Sequence, residues 1–200
     1  MATKLDIISN ARILLADTPV YDLNEIPEQE YIFNSLYRNM LQMKYWKFSL
    51  KRAELSRITE APLFGYKYAF QLPFDFANLT RFDNDINVTS YEILGDQLLC
   101  DNEEMRIEFT SLDTPVESCT PMVVKYLEYQ TAAELSYLIT EDKTIANNFI
   151  ALATRQLNKA ASRDSMNERS KTIWKSQFEY ARRSGTRSTI NGLNNTKYWS

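Results

Sequence analysis

The sequence contains no histidine, and this absence excludes several classes of catalytic and metal-binding site. Without an imidazole there is no histidine general base and no Ser-His-Asp or Cys-His arrangement. Zinc, copper and iron would also lack their commonest nitrogen ligand. The two cysteines, Cys100 and Cys119, cannot build a four-thiolate metal site by themselves. The sequence therefore predicts no catalytic site, no metal and no cofactor, and we expect the protein not to be an enzyme.

Glycine and long apolar runs are also scarce. Four glycines occur in 200 residues, against a usual share of roughly 7%. They lie far apart, so the sequence contains neither of the two glycine-rich phosphate-binding motifs. No stretch approaches the roughly 18 apolar residues of a membrane span, and residues 1–16 lack the apolar run of a signal peptide. We therefore expect a protein without a membrane segment, and two reduced cysteines.

The net charge of −3 hides a strong asymmetry along the chain. Residues 1–150 carry 13 Lys and Arg against 23 Asp and Glu, a net charge of −10. Residues 151–200 carry ten against three, a net charge of +7. This split indicates two surfaces that meet different partners, or the packing of one subunit's tail on another's body. A solvated basic helix that complements its own acidic domain explains the split equally well.

The spacing of apolar residues predicts helices at both ends of the chain. It predicts an N-terminal helix pair over residues 3–44, with Thr3 and Asn24 as N-caps. It also predicts long C-terminal helices over residues 120–184. The polar stretch 162–172 favours a break or an exposed turn within this second helical region.

Residues 45–111 show instead the two-residue alternation of half-buried strands. The alternation begins at Trp46 and Phe48, and it returns between Phe64 and Leu72. Gly95-Asp96 separates two short apolar runs and favours a type II′ hairpin turn. The pattern predicts a small antiparallel β-sheet with one buried face rich in aromatic residues.

Together these patterns predict an α+β fold. It consists of a helical bundle, formed by the N-terminal helix pair and the long C-terminal helices, with the small antiparallel sheet inserted between them. We expect a single domain over residues 1–184. Residues 185–200 are polar and predict a flexible C-terminal tail.

Several short motifs occur in an order that resembles a known protein family. They are Trp46-Lys47-Phe48, the run from Tyr68 to Phe76 (YAFQLPFDF), Arg81, Tyr91 to Gly95, Met105 to Phe109, and the helical stretch around Ala132-Ala133-Glu134-Leu135. Over roughly residues 5–160, this order looks like the tail tubular protein A family of short-tailed bacteriophages, also called head-to-tail adaptor or connector proteins. The motif residues that we interpret as structural are Trp46, Phe48, Tyr68, Phe70, Leu72, Pro73, Asp75, Arg81 and Gly95.

The resemblance implies a structural protein of the virion neck, made in the cytoplasm of the host. It implies a homo-oligomeric ring, usually of twelve copies, that docks beneath the portal protein and extends the DNA channel. A tail nozzle or next ring protein, and tail fibres, would attach to it, and DNA would pass without sequence-specific binding. The long basic C-terminus departs from the family. The alternative is another phage tail ring, or a phage or host interaction protein without enzymatic activity.

A closed ring needs two different, complementary patches on each subunit. The acidic body and the basic C-terminal region are suited to supply them. We therefore expect the C-terminal basic residues, with two aromatic residues at the end, to face a neighbouring subunit or the portal. These residues are Arg155, Lys159, Arg163, Arg169, Lys171, Lys175, Arg182, Arg183, Tyr198 and Trp199.

Overall fold

Four helices frame the part of the chain that the computed structural model describes, which is residues 2–83, 88–139 and 143–166. The helices are α1 (Lys4–Leu14), α2 (Pro27–Met43), α3 (Pro121–Ile139) and α4 (Lys143–Met166). α2 and α3 both begin with proline, which is tolerated there because the first helical N–H needs no intrahelical partner. Met1–Ser165 form one unit, and the predicted boundary between residues 184 and 185 lies outside the described residues.

The predicted helix caps differ in outcome. Thr3 caps α1 through a reciprocal pair of hydrogen bonds with Asp6, so this prediction is confirmed. The predicted Asn24 cap is wrong, because Asn24 lies in a short 3₁₀ turn and donates its backbone N–H to the side chain of Asp22. The predicted break within 162–172 does not fall in residues 162–166, where α4 continues to Met166, and the rest of that stretch lies outside the described residues.

Six short strands lie between α2 and α3 in the described ranges, and they form two antiparallel sheets. The strands are β1 (Leu50–Glu54), β2 (Tyr68–Gln71), β3 (Phe76–Phe82), β4 (Tyr91–Leu94), β5 (Gln97–Cys100) and β6 (Arg106–Ser111). Sheet A has the order β1-β6-β3, and sheet B has the order β2-β5-β4. The α+β fold is therefore confirmed, but two sheets stand where a single sheet is predicted. Two small sheets can bury their apolar faces against each other, which one open sheet cannot do.

The strand predicted at Trp46 and Phe48 is wrong. Lys47–Ser49 form a 3₁₀ turn, and β1 begins only at Leu50. The two aromatic rings lie 5.9 Å apart between centroids and belong to the helical core. Their alternation in the sequence therefore reflects packing at the end of α2 rather than a strand.

The strand predicted from Phe64 is too long. β2 begins at Tyr68, and Leu63 and Phe64 are almost fully exposed. Gly65 has a φ of 90°, a conformation that favours glycine and that lies outside the range of a strand. Residues 58–65 are therefore a loop that precedes β2.

The hairpin predicted between Tyr91 and Cys100 is confirmed, with β4 and β5 paired from end to end. A type II′ turn has a positive φ at its first central residue and a negative φ at its second. Gly95 has a φ of 63°, and Asp96 is not among the described residues with positive φ, so both residues fit this turn type. β6 then places Ile107 and Phe109 on its buried face, as its alternation predicts.

Two apolar cores result. The helical core is built from all four helices and includes Ile7, Phe33, Met40, Trp46, Leu127 and Ala153. The β core lies between the sheets, because it contains side chains from both of them: Phe70, Leu98 and Cys100 from sheet B, and Ile107 and Phe109 from sheet A. The C-terminal end of α2 meets sheet A where Asn78 Nδ2 donates to the carbonyl of Gln42.

We predict that two phenylalanines of the same motif differ strongly in their effect on stability. Phe70 is 1% exposed and Phe74 is 93% exposed. Phe70→Ala should lower the free energy of unfolding by about 3–5 kcal/mol, because it removes a buried ring and leaves a cavity. Phe74→Ala should change it by less than about 0.5 kcal/mol. Urea unfolding followed by circular dichroism measures both, and equal effects would contradict the two-layer β core.

Candidate subunit interface

α4 carries a stripe of basic side chains on its exposed face. Arg155, Lys159 and Arg163 are spaced four residues apart, so they lie one above another on the helix surface. All three are exposed, and none forms an ion pair with another described residue. We call these three residues the basic stripe. Leu152, 40% exposed, lies one turn before it on the same side of the helix.

The opposite face of α4 is held against the rest of the protein. Ala146, Ala153 and Ala160 are buried and spaced seven residues apart, and such small side chains let helices approach closely. Gln156 Nε2 donates to the carbonyl of Met122 in α3 at 3.2 Å. Because these contacts fix the rotation of α4 about its axis, the basic stripe points to solvent.

The C-terminal end of α4 is anchored at the turn that follows α2. Lys44 Nζ donates to the carbonyl of Ala161 at 3.0 Å. The negative C-terminal end of the helix dipole also favours a cation at this position. The backbone N–H of Lys47 donates to the carboxylate of buried Asp164 at 3.3 Å. Trp46 fixes the turn itself, since its indole N–H donates to the carbonyl of Met40 at 2.9 Å. We call residues 44–47 the junction.

Sheet B carries a second surface that could receive a partner. The loop 58–65 runs beside β2, tied to it by the backbone N–H of Ile58, which donates to the carbonyl of Ala69 at 2.8 Å. Between this loop and the outer face of sheet B lies a cleft of about 390 Å³. Its apolar lining includes Ile58, Pro62, Leu63, Phe64, Leu94 and Leu99.

Two glutamates, Glu60 and Glu92, also line this cleft. Both are exposed, and neither carboxylate forms an ion pair with another residue of the described ranges. We call the cleft with these two residues the acid-rimmed cleft. An apolar lining beside two exposed charges is compatible with the apolar centre and polar rim of a protein–protein interface.

A broader crevice lies between α2 and the loops that flank sheet A. Its volume is about 760 Å³, and Tyr37, Arg38, Phe74 and Val116 are among its lining residues. The Tyr37 hydroxyl donates to the carbonyl of Thr114 at 3.0 Å and lies 3.7 Å from the sulfur of Cys119. Burial raises the pKa of the Cys119 thiol to about 11, so it holds little thiolate at neutral pH. Cys119, which lies beside the crevice residue Tyr37, is therefore not an activated nucleophile.

Asp75, in the Leu72 to Phe76 part of the motif, ties sheet A to the loop before β3. Its carboxylate accepts hydrogen bonds from Lys51 Nζ at 2.8 Å and from the hydroxyl of Ser111 at 2.6 Å. Burial would raise the pKa of Asp75, but the hydrogen bonds from Lys51 and Ser111 outweigh it, and the pKa lies below its ordinary value. Asp75 is therefore a structural carboxylate rather than a general acid.

Arg81 has a comparable role on the outer face of sheet A. Glu108 on the central strand accepts from Arg52 Nε at 2.7 Å and from Arg81 Nε at 2.9 Å. Burial raises the pKa of Glu108, and the bonds from Arg81 and Arg52 more than reverse this, so the pKa is lowered overall. This cross-strand cluster joins all three strands of the sheet.

The predicted site residues separate into three groups. Arg155, Lys159 and Arg163 come together on α4, whereas the predicted interface residues beyond Met166 lie outside the described residues; these are Arg169, Lys171, Lys175, Arg182, Arg183, Tyr198 and Trp199. The family-motif residues are mostly parts of the cores, the turns and the two carboxylate clusters. Sequence reasoning missed the acid-rimmed cleft, although Pro62 and Gly65 bracket Leu63-Phe64 and are typical of a loop.

The described residues contain no group of three or more side chains placed to hold a metal ion. Among the described helices, none has the length and apolarity needed to cross a membrane. The surfaces with the clearest physical character are thus the basic stripe and the acid-rimmed cleft.

We predict that Asp75 contributes to the acid sensitivity of folding. Because the pKa of Asp75 is lowered in the folded protein, its contribution is present above the unfolded-state value and is lost as pH falls through the folded-state value. Asp75→Asn should lower the free energy of unfolding at pH 7 by about 1–3 kcal/mol and reduce its decrease between about pH 5 and pH 2. Urea titrations across this range measure both effects.

Asp113→Asn is the matched control, since the Asp113 side chain is 74% exposed and its carboxylate lies 3.8 Å from the same lysine. It should change the free energy of unfolding by less than about 0.5 kcal/mol. If Asp75→Asn kept the full acid sensitivity of the wild type, the role assigned to the Asp75 cluster would be wrong.

The chain matches no model of a protein family, and a search of curated proteins finds no match. The resemblance to the tail tubular protein A family therefore remains a prediction from the motif residues, and the function is inferred from the surfaces described above.

Proposed function

We propose that this chain is the subunit of a head-to-tail adaptor ring in a tailed bacteriophage. In this role, copies assemble around a central channel beneath the portal protein, extend the path of the DNA and carry the next tail component. The protein belongs to the virion neck and is made in the host cytoplasm. It works as a structural part, with no catalytic step of its own.

The observation that carries the proposal is the presence of two exposed surfaces of opposite character in one unit. The basic stripe on α4 has no partner in the described ranges, and the glutamates of the acid-rimmed cleft have none either. A head-to-tail ring requires two different complementary patches, whereas a twofold dimer uses one patch twice. The order of the motifs from Trp46 to Leu135 supports the same assignment.

A ring subunit must also resist distortion by its neighbours. The cross-strand cluster on Glu108 and the Asp75 cluster brace sheet A with charged hydrogen bonds, which are stronger than neutral ones. The junction fixes α4 against the end of α2. These features suit a protein whose work depends on geometry.

The direct test is to co-express the chain with the portal protein of the same phage. We expect a complex in which the adaptor forms a collar on one face of the portal ring, visible by negative-stain electron microscopy and countable by native mass spectrometry. A chain that purifies without the portal, with no collar on the imaged portal rings, would contradict the proposal. A ring that forms alone and ignores the portal would favour another tail ring protein.

Reversal of the basic stripe should disrupt collar formation. In Arg155→Glu, Lys159→Glu, Arg163→Glu, we expect the collar-bearing fraction of portal rings to fall at least about tenfold, because a complementary charged surface becomes repulsive. The matched control is Arg38→Glu, Lys67→Glu, Lys143→Glu, which makes the same change in net charge on exposed residues elsewhere. Equally reduced collar fractions in the two variants would show that overall charge, and not the basic stripe, matters, and an unchanged fraction in the stripe variant would exclude a role for the stripe.

A further inference from the structure

The acid-rimmed cleft is a site for side chains rather than for a whole helix. Its volume is about 390 Å³, and Ala69 and Leu99 on its floor are 3% and 7% exposed. Because a helix with its side chains measures about 10–12 Å in diameter, a partner helix would lie across the mouth of the cleft and insert side chains into it. Leu63 and Leu94 line the cleft and remain 99% and 62% exposed, so apolar surface is available for a partner to cover.

The partner that fits must combine basic and apolar side chains. Glu60 and Glu92 lack counterions within the described residues, and the lining between them is apolar. Burying these carboxylates beside an uncharged partner would cost free energy, whereas basic groups would compensate for their lost hydration. An amphipathic helix with an apolar residue next to two cations has the required chemistry.

Arg155 and Lys159 of the basic stripe, together with the preceding Leu152, have this composition. Leu152, Arg155 and Lys159 follow one another at spacings of three and four residues, so they share one exposed face. The seven steps from Leu152 to Lys159 span about 10 Å along the helix, so the three side chains form one short contact surface. The stripe is also oriented outward by the junction and by the buried alanines on the other face of α4.

We propose that the basic stripe of one copy docks in the acid-rimmed cleft of the next copy. Leu152 covers Leu63 and Leu94, and Arg155 and Lys159 lie against Glu60 and Glu92. The contact is head-to-tail, since each copy contributes its helix to one neighbour and its cleft to the other. The inference deepens the proposed ring function and rests on it, because it names the two surfaces that join adjacent subunits.

A charge-swap experiment on the full-length chain tests this pairing. One variant, Glu60→Lys with Glu92→Lys, has a basic cleft and a basic helix. The other, Arg155→Glu with Lys159→Glu, has an acidic helix and an acidic cleft. By sedimentation up to about 1 mM, each variant alone should self-associate at least about tenfold more weakly than the wild type. An equimolar mixture should recover association, because every contact in it can pair opposite charges.

Two controls make the result specific. Glu25→Lys with Glu134→Lys gives the same net charge as the first variant, on exposed residues away from the cleft. It should associate as the wild type does. The equimolar mixture of the two swap variants should recover association without it. Circular dichroism confirms that all variants fold, so that loss of association cannot be attributed to unfolding.

Three results would overturn the pairing: a wild type that stays monomeric up to about 1 mM, swap variants that associate normally, or a mixture that recovers nothing. The failure of the proposed function is separate and is read from the portal. If collars form on the portal although the mixture recovers nothing, the ring uses other surfaces. If the mixture recovers association but no portal collar forms, the pairing holds and the adaptor function is wrong.

Discussion

The structure depends on the junction, where the helical layer, sheet A and α4 meet. Trp46 is buried, and its indole N–H donates to the carbonyl of Met40 near the end of α2. This contact holds the turn that leads from α2 into β1. Beside it, Lys44 binds the last turns of α4, and the backbone of Lys47 binds buried Asp164. Hydrogen bonds to charged groups are worth about 1.5–3 kcal/mol each. These few contacts therefore determine how the basic stripe is presented.

The charged residues divide into two classes with different physical roles. Asp75, Glu108 and Glu128 are largely buried and each accepts hydrogen bonds from at least one basic side chain, so they contribute to folding. The exposed glutamates of the cleft and the basic stripe have no such partner within the described residues. Unpaired surface charges add little to stability but strongly affect the rate and specificity of association. This division is what one expects of a protein that works by joining others.

The sequence predicts the fold class because local signals and tertiary packing agree over most of the chain. The Tyr91–Cys100 hairpin is predictable, since Gly95 provides a turn conformation that fixes the register. Trp46-Lys47-Phe48 wrongly predicts a strand, because two aromatic residues that pack on the helical core alternate with a polar residue. Residues 162–166 look like a break because they are polar, but Asp164 among them is buried and accepts a hydrogen bond from the backbone of Lys47. The basic stripe follows from helical spacing, but the cleft arises only when the loop 58–65 folds beside sheet B.

In the proposed role, the protein is a geometric link between the head and tail of a virion. Its most direct test is to image virions in which every copy of the chain carries a small C-terminal tag labelled with gold. We expect label confined to the neck, between capsid and tail, in numbers consistent with a ring. Label on the capsid shell or at the fibre tips, or virions without label, would contradict it.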